Sequence, residues 1–161
     1  MKKLLFVLSV GLLGFTSNPF AQSGPTLRGA WRVVSVTTTG PNAATISSPQ
    51  PGLYIFTARH YSFNRVTSAK ARAQLKDPAK VTEAEALAIF GPFQGQAGTY
   101  EVAGTNLTVR PLTAKNPEVM ASGAFTTYSL KLDGNTLTLT NRTNNAGPIT
   151  NPATLTLTRI E

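Results

Sequence analysis

The chain has 161 residues, no cysteine, one histidine, and a net charge of +8 from 15 basic and seven acidic side chains. Without cysteine there is neither a disulfide framework nor a thiolate metal site, so the fold must be held by its core. The basic residues Arg28, Arg32, Arg59, Arg65, Arg110, Lys131 and Arg142 are scattered singly rather than interleaved with aromatics, which argues against a nucleic-acid partner. Only residues 70–80 are locally dense in lysine and arginine. They read as a solvated face or as a weak attraction for anionic lipid or acidic partners.

Residues 1–21 have the pattern of a secretion signal: Lys2 and Lys3, an apolar run over 4–15, then small and turn-forming residues up to Ala21. An apolar run of about 12 residues is too short to span a bilayer, so no stable membrane insertion is expected after cleavage. The expected location is periplasmic or secreted. Without Lys2 and Lys3, 13 basic side chains face seven acidic ones. The remaining residues 22–161 are expected to form one domain, long enough to bury about two thirds of its unfolded surface.

Alternation of apolar and polar residues predicts the first strand over 30–39, with Trp31, Val33, Ser35 and Thr37 on one face. A loop over 40–52 follows, rich in proline and small polar residues. Strands two and three, 53–57 and 61–66, flank Ala58-Arg59-His60 as a hairpin. Either Leu53 and Ile55 or Tyr54 and Phe56 face the interior. Thr82-Glu83-Ala84-Glu85 has the form of a capping box, predicting a helix over 83–90 that stops at Gly91-Pro92. Strands resume at 98–102 and 106–111, and 112–123 reads as a loop. The runs 124–132 and 136–142 flank Asp133-Gly134-Asn135, a strong hairpin signal. A loop over 144–152 leads to the last strand, 153–160. Leu137, Leu139, Leu155 and Leu157 alternate with threonines and should point inward.

Eight antiparallel strands with one apolar face each suit an all-β up-and-down barrel with a short helical insertion between strands three and four. A sandwich fits the same alternation. The discriminating residue is Arg159, which shares the inward face of Leu155 and Leu157. In a closed barrel the first and last strands are neighbours, so Arg159 would lie over Trp31 as a cation–π pair. The alternative is that it snorkels to solvent near the chain end.

Gly29-Ala30-Trp31 opening the first strand, with Arg159 in the last, resembles the signature of the lipocalin superfamily. Residues 27–161 resemble bacterial lipocalin-like domain proteins, through Gly52-Leu53-Tyr54-Ile55-Phe56-Thr57 leading to Tyr61-Ser62, Gly98-Thr99-Tyr100-Glu101-Val102, and Asp133-Gly134-Asn135. The resemblance implies an eight-stranded barrel with an apolar interior, often holding a small molecule and often without an assigned activity. The Thr-Asp-x-x-Tyr motif and the disulfide of the better-known lipocalins are absent, so no particular ligand carries over.

No catalytic constellation stands out. His60 lies at a hairpin tip, and the seven carboxylates have no paired-acid or calcium-loop spacing, so no catalytic residue, metal site or cofactor is assigned. Glu101 is expected on the outer face if Tyr100 points inward. Tyr54, Phe56, Tyr61, Phe63, Phe90, Tyr100, Phe125 and Tyr128 are the candidate ligand contacts, with plain core as the competing reading for most of them. Gly29, Trp31 and Arg159 are assigned to barrel closure. Three readings stay open. The first is a binding protein for a small apolar or amphipathic molecule, with 83–93 as a lid whose Ala84, Leu87 and Ala88 face the mouth. The second is a filled-core interaction or inhibitor-type protein acting through its basic surface. The third is a cyclase- or isomerase-type enzyme using Tyr, Arg or Glu as acid and base, which an inward-facing Arg110 or Glu101 would support.

Overall fold

The computed structural model describes residues 26–161; the predicted secretion signal lies outside them. Eight strands close into an antiparallel barrel: β1 (Gly29–Thr38), β3 (Gly52–Phe56), β4 (His60–Val66), β5 (Phe93–Ala103), β6 (Asn106–Ala114), β7 (Thr126–Asp133), β8 (Thr136–Asn144) and β10 (Ala153–Arg159). Each pairs with the next, and β10 pairs with both β8 and β1, so the ring has no break. The barrel reading holds over the sandwich.

Two short strands lie off the ring. β2 (Ala44–Ile46) pairs with β1, and β9 (Gly147–Pro148) pairs with β8. The helix α1 (Glu83–Phe90) therefore follows the fourth strand and not the third, which corrects the predicted position. The cause is the length of β1. Its pairing with β3 runs only from Gly29 to Arg32, which leaves the edge at Val36–Thr38 free, and β2 takes it. An unpaired strand edge is costly to leave open, and three residues suffice to cover it.

The period of two sets the core. Leu137, Leu139, Leu155 and Leu157 are buried and stand opposite one another in register, while Thr140 and Thr154 share a hydrogen bond of 2.8 Å on the outer wall. In β3 it is Tyr54 and Phe56 that face in, with Leu53 and Ile55 about 40% exposed outside. A bulge in β1 between Val33 and Ser35 re-aims the strand: Val36 pairs with inward Leu155 and packs on the core. Simple alternation had placed Val36 on the face opposite Trp31.

One end of the barrel is sealed. Trp31 is fully buried and is the register partner of Arg159, whose guanidinium lies 4.1 Å from the ring centroid. The indole Nε1 donates to the Leu27 carbonyl at 2.9 Å. Arg159 Nη1 donates to the Arg28 carbonyl and Nη2 to that of Thr26 at 3.1 Å, strapping the segment before β1 across this end. Gly29 is required here. Its φ is +126°, and a Cβ would overlap the Glu161 carbonyl oxygen and press on Arg159 Nη1 at 2.8 Å.

Candidate functional site

The opposite end is open, and the strands reach it in layers. The register pair Phe56 and Tyr61 forms one aromatic layer, nearer the sealed end, and the pair Tyr54 and Phe63 the next, with Tyr54 opposite Trp31 in register. Tyr54 stacks on Phe63 at 4.6 Å, and Phe56 meets Tyr100 edge-on at 5.3 Å. Above these layers the interior is not filled. A cavity of about 290 Å³ remains, floored by Tyr54, Phe63, Tyr128 and Leu155. Its rim is polar, formed by Arg65, Gln94, Gln96, Lys115, Asn141 and Asn144.

The rim follows from the alternation that builds the core. Tyr61 and Phe63 face in along β4, so Arg65 does too. Leu137 and Leu139 face in along β8, and Asn141 follows. Gln96 Nε2 donates to the Tyr61 hydroxyl at 2.8 Å, while Arg65 Nε donates to Gln94 Oε1 at 2.9 Å. Asn141 Oδ1 accepts from the Ala153 amide at 2.6 Å. Sequence reasoning passed over these rim residues because it followed the apolar runs and stopped where they ended. Continuing the period of two by one step finds Arg65 and Asn141.

Burial pushes the hydroxyls of Tyr54, Tyr61, Tyr100 and Tyr128 above the usual phenol range. For Tyr54 and Tyr128 the nearby Arg65 pulls weakly the other way. The phenols lining the cavity are therefore neutral at physiological pH and can donate hydrogen bonds.

The structure sorts the eight aromatic candidates. Tyr54, Phe63 and Tyr128 line the cavity. Phe56 and Tyr61 are buried core beneath it, and Tyr100 packs against that core with its hydroxyl donating to the Thr57 carbonyl at 2.8 Å. Phe125, half-buried just before β7, does not line the cavity. Phe90 is 56% exposed and belongs to neither cavity nor core.

The predicted lid is also corrected. The helix and its capping box form as expected, with Thr82 Oγ1 accepting from the Glu85 amide and Glu85 Oε2 from the Thr82 amide. Yet α1 has no buried residue and contributes none to the cavity lining, and Leu87 points to solvent. The segment is tied through backbone carbonyls instead. Arg72 donates to that of Ile89 at 3.2 Å, and Lys115 Nζ to those of Phe90 and Gly91. What overhangs the mouth is Val119, from the 3₁₀ turn Pro117–Met120, together with Ile149.

The residues weighed for acid–base chemistry lie outside. Arg110 and Glu101 are 4.0 Å apart on the outer wall, with side chains 49% and 76% exposed. His60 is exposed at its hairpin, where its backbone amide donates to Thr57 Oγ1 at 3.1 Å. Among the described residues no helix is long and apolar enough to cross a membrane.

A lipocalin-like domain model covers residues 28–160. Among solved structures, a lipocalin-like protein from Bacteroides uniformis is 15% identical, with a TM-score of 0.46, over 83% of this chain and 98% of that one. An uncharacterized protein from Bacteroides eggerthii is 9% identical, with a TM-score of 0.44, over 82% of this chain and 98% of that one. The search of curated proteins returned no match. With the family model spanning every strand of the barrel, the chain belongs to the lipocalin-like domain family.

Proposed function

We propose that this protein is an exported binding protein whose barrel holds one small amphipathic molecule at its open end. The observation that carries the reading is the cavity itself: about 290 Å³ of unfilled space over an aromatic floor, in a barrel whose other end is closed by the buried Trp31. Ligand pockets are mostly apolar with a few placed polar groups, which is how this floor and rim are divided. The volume is at the low end of the range of about 300–1,000 Å³ for small-molecule sites, so it favours a compact, single- or fused-ring body over a long chain. Export rests on the basic, apolar and small-residue pattern of residues 1–21.

Binding is tested by the rise in Tm on adding compact aromatic and alicyclic probes. A ligand at about 100 times its Kd stabilises by about 2.7 kcal/mol. Trp31 is a poor reporter, because it sits at the sealed end. Ala153 is a better handle: it precedes inward Leu155 by two residues and lines the mouth. Ala153→Phe fills the cavity, so the ligand-induced rise should vanish while the apo Tm is kept. A rise that survives Ala153→Phe, or no rise with any probe, would sink the reading. Export is tested by amino-terminal sequencing of protein from the periplasm and medium, where a start at Gln22 is expected. An uncleaved chain confined to the cytosol would contradict it.

A further inference from the structure

We infer that the mouth of this cavity reads negative charge, and that the molecule held there is a compact amphipathic acid whose apolar body lies on Tyr54, Phe63 and Tyr128 while its oxyanion meets Arg65. The inference rests on the binding reading above and adds the chemical class of the ligand.

Arg65 is built into the site rather than draped over it. It continues the inward face of Tyr61 and Phe63, and its register partner across β3 is Gly52. A Cβ on Gly52 would meet Arg65 Cβ at 3.0 Å and Val33 Cγ2 at 2.8 Å, so the missing side chain gives the arginine its room. The bond from Nε to Gln94 Oε1 fixes the guanidinium plane. Among the described residues no protein group accepts from Nη1 or Nη2. The fork that suits a carboxylate or phosphate is left free.

The charge around it is unbalanced. Among the described residues no aspartate or glutamate lines the cavity, and the one ion pair, Arg110 with Glu101, is on the outer wall. Lys115 adds a second positive charge at the rim, though its ammonium is held by the Phe90 and Gly91 carbonyls. It contributes to the field rather than a contact. A cleft lined by one sign of charge with low-dielectric walls concentrates counter-ions of the other sign. The hydroxyls of Tyr54 and Tyr128 have no hydrogen-bond partner among the described residues, and as neutral phenols they can donate to an oxyanion beside Arg65.

The test compares three probes of nearly equal shape by calorimetry: naphthoate, naphthyl phosphate and neutral naphthamide. At least one anion should bind about tenfold more tightly than the amide, equivalent to about 1.4 kcal/mol. Which anion is preferred assigns the group as carboxylate or phosphate. Raising salt from about 0.05 to about 0.5 M should weaken the anion and leave the amide unchanged, a readout that needs no variant. Arg65→Gln should abolish the anion's advantage while the amide still binds, and Arg65→Lys should restore only part of it. Equal binding of amide and anions, or an advantage that survives Arg65→Gln, overturns the inference while leaving the binding reading intact. If none of the three binds, the inference falls, and if no other compact probe raises Tm either, the binding reading falls with it.

Discussion

Replacing Arg159 with alanine removes three interactions at once from the sealed end of the barrel. The first is the stack on Trp31 at 4.1 Å; over a fully buried indole such a pair is worth about 1–2 kcal/mol. The others are the hydrogen bonds from the guanidinium to the Arg28 and Thr26 carbonyls. Charged donors contribute about 1.5–3 kcal/mol in a dry site, but these bonds lie at the solvent edge, so about 0.5–1 kcal/mol each is the appropriate figure. The total is about 2–4 kcal/mol. In a domain of this size each kcal/mol moves Tm by about 3 °C, so a drop of about 6–12 °C is expected. The assay is urea unfolding and calorimetry of Arg159→Ala, Trp31→Leu and the double variant. Because the two side chains touch, their effects should fall short of additive by about 0.5–2 kcal/mol. Arg159→Lys should recover little, since an ammonium cannot cover the ring and reach two carbonyls together. A loss below about 0.5 kcal/mol, as at an ordinary surface position, would refute the reasoning. So would strict additivity.

Gly29→Ala should destabilise by about 2 kcal/mol or more, because the new Cβ meets both an unfavourable φ and the Glu161 carbonyl. Unchanged urea unfolding would show that the strap can shift. Alkaline stability follows from the tyrosines. Their folded pKa values are raised above the ordinary 10.0, so their neutral forms support the fold fully below that pH. Stability should fall as pH rises past about 10, as the unfolded chain releases protons that the folded chain retains. Spectroscopic titration should show Tyr54 and Tyr61 ionising only on unfolding; reversible ionisation of all four tyrosines near pH 10 in folded protein would contradict this. Thr82→Ala should cost α1 about 1 kcal/mol of local stability. With no buried residue in the helix, hydrogen exchange there should quicken while the barrel's Tm stays put. A matching fall in Tm would mean that α1 is part of the barrel's cooperative unit.

What could be read from the chain was whatever a short pattern decides. The threonine–leucine alternation of β8 and β10 fixed the inner wall, and Gly134 takes the one positive φ of the turn between Asp133 and Thr136. The capping box marked the start of α1 at the right residue. Trp31 and Arg159 were paired by parity and ring closure, and they are register partners. Other features depend on tertiary context. The three residues of β2 carry no strand pattern of their own, and they pair because β1 offers a free edge. Val36 turns inward through a bulge that alternation cannot foresee. The apolar face of Ala84, Leu87 and Ala88 suggested a lid, yet the segment is held by hydrogen bonds to backbone carbonyls near its end, which have no signature in side-chain periodicity. The aromatic candidates were divided by depth. Tyr54, Phe63 and Tyr128 reach the cavity, whereas Phe56 and Tyr61 lie beneath it, and depth along a strand becomes visible only once the register is known.

The most direct measurement is an NMR titration of isotopically labelled protein with naphthoate and, separately, naphthamide. The predicted result is saturable shifts for at least one probe at Tyr54, Phe63, Tyr128 and Leu155, around the open mouth, with the Trp31 indole signal unmoved at the sealed end. Shifts confined to the outer wall around Leu53 and Ile55, or no saturable shift with either probe, would contradict a ligand site inside this barrel.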